Sequence, residues 1–447
     1  MKTKLVSVFC SLALAAGFAS GTLSAKASAD AVRLRLDLDR PVVLADTPEK
    51  IVLKIALDGL RLPETAERPP VNLCLVLDRS GSMSGEKIVR AKEAAIEAVR
   101  RLAASDVFSL VVYNNGVETL IAATRVGDAG DIEARIRAVN TGGGTNLFGG
   151  VSQGAAEIRR HLEGSYTHRV ILLSDGLANV GPSSPEDLAR LGAALVKEGI
   201  SVTTVGVGTD YNEDLMTRLA RRSDGNTYFV EASRDLPRIF NEELGDVLAV
   251  VARRVVIELE FPEGVRPVAF VGRDGTIDGR RATLSLNQLY GGQEKFALVE
   301  VEVPPSAAGT ARELAQARVR YEHAGERRER TSTARAELRF TSAQDEVVRS
   351  ANQRVQTDYA ANVIAMTKDA AVELVDADRR AEAAAELRAR ATSLELMAST
   401  YRNAAVSSLS AREKAEADRL EREGLDNVAR KTYRTENAQT YQQQRSN

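Results

Sequence analysis

Cysteine is nearly missing: two occur in 447 residues, and Cys10 falls inside an amino-terminal segment that reads as a leader. Only Cys74 then remains, and a single cysteine cannot form an internal disulfide. Its setting, VNLCLVLD, is that of a small buried hydrophobe rather than a reactive thiol. An excess of charge of one sign is missing too, with 60 Lys and Arg against 62 Asp and Glu. In that balance no electrostatic footprint for nucleic acid or anionic lipid stands out. After the leader no uncharged apolar run reaches the ~18 to 20 residues of a membrane-spanning helix, which predicts a mature protein without a transmembrane segment. The three histidines, His161, His168 and His323, lack HExxH spacing and read as surface or loop residues. GxxxxGK[ST] is absent, which removes the phosphate cradle, and the GxSxG spacing of Gly150-Val151-Ser152-Gln153-Gly154 falls inside the helical stretch LFGGVSQGAAEIRRHL, not on a strand-to-helix turn, so it makes no nucleophile elbow.

The first residues combine a positive head, MKTK, with the apolar stretch LVSVFCSLALAAGFA and small-x-small signals at Ala25-Lys26-Ala27 and Ala27-Ser28-Ala29. This predicts a secretory signal peptide over 1–29, cut after Ala29, and a secreted or periplasmic bacterial protein. Cys10 lacks the preceding small residues of a lipidation site. LPETA at Leu62 resembles a sorting signal but is internal, without an apolar tail, and reads as a linker.

From Ala31 to Leu62 apolar and charged residues alternate, as in VRLRLDL, and IVLKIAL follows a turn. Two half-buried strands are predicted, over 30–69, and they complete a later β module. Over 70–247 apolar β runs alternate with helical stretches, which predicts a doubly wound, mostly parallel α/β sheet inserted into that module. Alternation returns over 248–341 as an antiparallel, sandwich-like β module. An Ala/Glu/Arg/Leu-rich helical bundle is predicted over 342–435, with a capping box at Ser410 and Glu413, and a frayed polar tail over 436–447.

The stretch VLDRSGSMSGEK ends a buried strand on a carboxylate and follows it with hydroxyls. Extended backbone would direct Asp78, Ser80 and Ser82 to one side, and Gly81 and Gly85 allow the chain to curl. TGGGTNLFGG adds Thr145 at a helix start, and HRVILLSDG adds Asp175 after another strand. These hard oxygens at the carboxyl edge of a sheet suit Mg²⁺, and the same donors accept Ca²⁺ or Mn²⁺. Glu86 reads as a first-turn carboxylate, Asp106 as a helix-end charge, and Asp210, Asn212 and Asp214 as a polar rim or helix cap.

The pattern Asp78-x-Ser80-x-Ser82, Thr145, Asp175 over Val71 to about Gly245 resembles the metal-ion-dependent adhesion site of von Willebrand factor type A domains. The bacterial secreted forms called calcium-activated chloride channel homologues, and inter-alpha-trypsin-inhibitor heavy chains, are similar in plan. The resemblance implies a bound Mg²⁺ that accepts an Asp or Glu carboxylate from a protein partner, with Thr145 joining its direct shell on engagement. It implies adhesion or scaffolding, or transient assembly of an envelope complex, rather than catalysis. A haloacid-dehalogenase-like phosphohydrolase is the enzymatic alternative, but it needs a second acid two residues beyond its nucleophile, where Ser80 stands.

Overall fold

Residues 30–61, 68–127, 129–162, 166–326 and 328–444 are described by the computed structural model. The leader with Cys10 and Ala29, the LPETA stretch and residues 445–447 lie outside the described residues. The chain begins with β1 (Val32–Leu38), β2 (Val42–Leu44) and β3 (Glu49–Gly59), three strands where alternation predicted two. The α/β part comprises β4 (Val71–Asp78), α1 (Glu86–Arg100), β5 (Val107–Tyr113), β6 (Val117–Arg125), α2 (Ala129–Arg137) and α3 (Leu147–Arg159). It continues through β7 (Thr167–Ser174), α4 (Pro185–Lys197), β8 (Ile200–Val207), α5 (Glu213–Arg222), β9 (Thr227–Val230) and α6 (Leu236–Leu248).

The sheet order is β6-β5-β4-β7-β8-β9, parallel except for the edge strand β6. Every residue of β4, β7 and β8 is buried, because helices cover both faces and leave no polar side. Leu73, Leu75 and Leu77 pack with α1 and α6, whereas Cys74 and Val76 pack with α3. Gly150 and Gly154 make the second approach close: a Cβ at Gly154 would lie 2.5 Å from Val76 Cγ2, and one at Gly150 2.7 Å from Tyr113 Cδ1. The strand order reverses between β4 and β7. Their carboxyl ends therefore flank the crevice in which sheets of this kind bind ligands.

The chain then forms β10 (Val250–Glu260), β11 (Arg266–Val271), β12 (Thr276–Asp278), β13 (Arg281–Tyr290), β14 (Glu294–Val303), β15 (Ala311–His323) and β16 (Arg328–Thr341). Two sheets result, β1-β3-β14-β11 and β12-β13-β10-β15-β16-β2. Residues before and after the α/β part are thus interleaved, β3 against β14 and β2 in parallel with β16. Leu53, Ile55 and Val299 from one sheet meet Ile257, Leu284 and Phe340 from the other in a shared core.

Five helices follow: α7 (Gln344–Arg349), α8 (Gln353–Asp376), α9 (Arg380–Tyr401), α10 (Ala404–Glu423) and α11 (Asn427–Gln442). Residues of α8 and α9 cover the outer face of the first sheet through Val363, Ile364 and Leu394 against Ala56, Phe296 and Leu298. Buried Lys54 of β3 ties the layers, its ammonium 2.7 Å from Glu294 and 2.6 Å from Asp358. Two predicted details are corrected. Ser410 and Glu413 lie inside α10 and form no capping box; Asn403 caps that helix by accepting from Val406 N, and Ser410 donates to Ala391 O at 2.7 Å. The stretch predicted as a frayed tail from Glu436 is the second half of α11, with Tyr441 buried.

The sandwich abuts the amino ends of the α/β strands. Arg169, at the start of β7 and fully buried, reaches Gln288 at 2.6 Å and the Tyr290 hydroxyl at 2.5 Å on β13, with Thr203 at 3.1 Å on β8. Arg253 of β10 donates to Tyr166 O at 2.7 Å. Buried charge at this junction is partnered, as its desolvation cost requires.

Candidate metal centre

Asp78 ends β4 beside Ser174, the last residue of β7, and Ser174 Oγ donates to Asp78 Oδ2 at 2.7 Å. The other carboxylate oxygen accepts from Ser80 N at 2.8 Å. Asp78 is therefore held from both sides. Beyond it the chain does not stay extended: Gly81–Met83 is a 3-10 turn, and Gly85 has φ 83°. This corrects the mechanism read from spacing, because alternate residues of an extended strand stand roughly 6.7 Å apart, too far to share one small ion. The turn instead sets Ser80 Oγ and Ser82 Oγ 3.0 Å apart, and Ser82 Oγ donates to Asp175 Oδ1 at 2.8 Å. Adjacent oxygens around an octahedral ion with ~2.1 Å bonds are separated by about 3 Å.

Thr145 completes the cluster from the loop before α3. A Cβ placed on Gly176 would lie 3.2 Å from Ser82 Oγ, 3.2 Å from Thr145 Oγ1 and 3.9 Å from Ser80 Oγ. The three hydroxyls thus converge on one point, and the glycine after Asp175 leaves that point free of side chain. All five predicted residues come together there. Asp78, Ser80, Thr145 and Asp175 are buried, whereas Ser82 is exposed, so the cluster opens to solvent on one side.

Sequence reasoning missed the residues that weave these loops. Asn114 Nδ2 donates to Gly142 O at 2.8 Å, Asn115 Oδ1 accepts from Gly144 N at 2.6 Å, and Asn179 Oδ1 accepts from Thr145 N at 2.8 Å. Gly81 N donates to Gly143 O at 3.0 Å. The asparagines in YNNG and SDGLAN were the available signal, since short amides bind nearby backbone. Lys87, in the first turn of α1, was also missed; its ammonium lies 2.5 Å from Asp175 Oδ2.

Burial raises the Asp78 carboxyl above its ordinary value, opposed by the Ser80 and Ser174 hydrogen bonds and reinforced by Asp175. A bare carboxylate is costly in such a place, and a divalent cation would favour its ionised form. No cluster of three or more His, Cys, Asp or Glu is placed to hold a metal among the described residues. The donor set here is instead two carboxylates and three hydroxyls, all oxygen and suited to a hard cation.

The other singled-out residues fall elsewhere. Asp106 is no helix-end charge: it is buried before β5 and accepts the fork of Arg68 at 2.8 and 2.6 Å plus Val71 N at 2.8 Å. Glu86 stands in the first turn of α1 and pairs with Arg90. Asn212 caps α5 by accepting from Leu215 N, Asp214 pairs with Arg430 and Arg434, and Asp210 is exposed. His168 and His323 are buried, not surface residues, and His161 is half-buried. Cys74 is buried, and desolvation pushes its thiol up to about 12.

A doubly wound sheet carrying an oxygen-rich cluster at its reversal of strand order defines a class, and comparison gives that class a name. Residues 72–242 match the model of the von Willebrand factor type A domain, and the chain carries such a domain. Among curated relatives, a Synechocystis protein is 26% identical over 280 residues, 60% of this chain and 66% of the relative. Inter-alpha-trypsin inhibitor heavy chain H2 of Sus scrofa is 25% identical over 246 residues, 51% of this chain and 26% of its own length. The chain therefore spans less than two thirds of these relatives. A von Willebrand factor type A structure from Catenulispora acidiphila superposes with TM-score 0.65 at 17% identity, covering 87% of this chain and 95% of that one. The ArnB paralog VWA2 from Sulfolobus acidocaldarius gives TM-score 0.61 at 17% identity, covering 92% and 98%. The shared fold thus extends to the sandwich and helices.

Proposed function

We propose that Asp78, Ser80, Ser82, Thr145 and Asp175 hold a divalent cation, Mg²⁺ first and Mn²⁺ or Ca²⁺ by the same donors, and that the cation captures an Asp or Glu carboxylate of a protein partner outside the cytoplasm. The convergence of three hydroxyls above Gly176, flanked by two buried carboxylates, carries this reading. Neutral hydroxyl donors leave a bound cation much of its charge, and the open side beside Ser82 gives a partner access to it. Ser80 stands where a phosphohydrolase would need its general acid, and the mammalian relatives bear the name of inhibitor chains; both favour interaction over turnover. The leader pattern of residues 1–29 supports export.

Magnesium titration by calorimetry tests the site. Native protein is expected to bind, and a concentration of 100 times Kd should stabilise the fold by about 2.7 kcal/mol. Asp78→Ala should abolish both effects. Thr145→Ala should keep its circular dichroism spectrum yet lose chelator-sensitive capture of partners from an envelope extract. A flat titration of the native protein would refute the proposal.

A further inference from the structure

We infer that Lys87 sets the charge of the metal centre so that the loaded site selects an anionic over a neutral external ligand; this rests on the function proposed above. The Lys87 ammonium lies 2.5 Å from Asp175 Oδ2, and Asp175 is fully buried. It is also 3.5 Å from the place a Cβ at Gly208 would take, so the end of β8 confines it on a second side. The neighbouring charges are matched elsewhere: Arg79 pairs with Glu118 at 2.9 Å, and Glu86 with Arg90 at 3.2 Å.

The charge count follows directly. Asp78 and Asp175 together balance a divalent cation, and the hydroxyls of Ser80, Ser82 and Thr145 contribute none. Lys87 adds one positive charge beside Asp175, so the loaded centre carries one unit in excess. An external carboxylate cancels it; a water or a hydroxyl does not. The same lysine opposes the cation, which makes weaker metal binding and stronger anion preference two consequences of one group.

Lys87→Met and Lys87→Gln, the latter keeping a donor for Asp175, remove the charge, and Lys87→Arg retains it. Each is loaded with Mn²⁺, its melting temperature confirms folding, Mn²⁺ affinity is read by calorimetry, and acetate binding is read from the Mn²⁺ paramagnetic resonance spectrum. The neutral variants are expected to bind Mn²⁺ about tenfold tighter and to need about tenfold more acetate, a charge effect of ordinary size. The arginine variant should follow the native protein in both. A merely supporting lysine would give the opposite sign, weaker Mn²⁺ binding in the neutral variants, and that result overturns the inference. Unchanged acetate affinity also overturns it while leaving carboxylate capture intact. Native protein that takes up no Mn²⁺ sinks the inference together with the proposed function.

Discussion

His168 illustrates how much a single residue owes to a place the sequence does not reveal. It is the second residue of β7, is buried, and its Nδ1 lies 3.3 Å from Asn72 Nδ2. Desolvation, then Arg253 and Arg254, pull its pKa down to about 4. Its unfolded value is about 6.5. Between the two, the unfolded chain binds the extra proton, so stability is full above about pH 6.5 and falls as the pH drops toward 4, by about 3 kcal/mol in all. Imidazole resonances should remain those of a neutral ring at pH 5.5, and His168→Gln should flatten the acid limb of the melting profile; a midpoint near 6.5 in the folded protein would contradict this. The first strand position in HRVILLS looks like an exposed boundary. Nothing local discloses that the sandwich covers it. Cys74 was legible because its apolar neighbours on both sides already define a buried strand.

Elements were legible where their own residues settle burial. The apolar-rich, non-alternating runs of β4, β7 and β8, and the return of alternation in β10 and β13, follow from being covered on two faces or one. Missed strands lack that self-sufficiency: β2 has three residues, β6 is a half-exposed edge, and β11 and β12 are short pieces bordering the turn residues of EGVR and RDGT. The site was legible as residue types on loops, but its backbone was not, since a 3-10 turn leaves no periodic mark. Element packing also supplies a test. With 2.5 Å to Val76 Cγ2 from a Cβ at Gly154, Gly154→Ala must lift α3 from β4. Overpacking of this kind costs about 1–3 kcal/mol, and because Thr145 leads into α3, metal affinity in calorimetry should weaken alongside the melting temperature. A variant with native stability and affinity would show that α3 has room.

For the whole molecule, α11 is the piece that joins the parts. Lys431 lies 2.8 Å from Glu213, Arg430 2.6 Å from Asp214, and Arg434 2.8 Å from Asp214 and 2.9 Å from Asp369. Gln439 donates to Thr227 O at 3.0 Å on β9, and Gln443 accepts from Phe296 N at 3.2 Å on β14. A chain ending at Asp426 would strand Glu213, which is buried, without its cations. Such a loss costs about 3–5 kcal/mol, so the shortened protein should melt at a lower temperature and be cut first around α5 and β9 in limited proteolysis; an unchanged melt would show that α11 is dispensable. The polar composition of RTENAQTYQQQ concealed this, because its hydrogen-bond partners are supplied by strands distant in sequence. The opposed placement of cluster and sandwich has one more consequence. A load taken up at Asp78 and Asp175 would run lengthwise along the parallel pair β4 and β7 and reach the flanking strands β5 and β8 in shear, the direction in which many backbone bonds share a force instead of parting one after another.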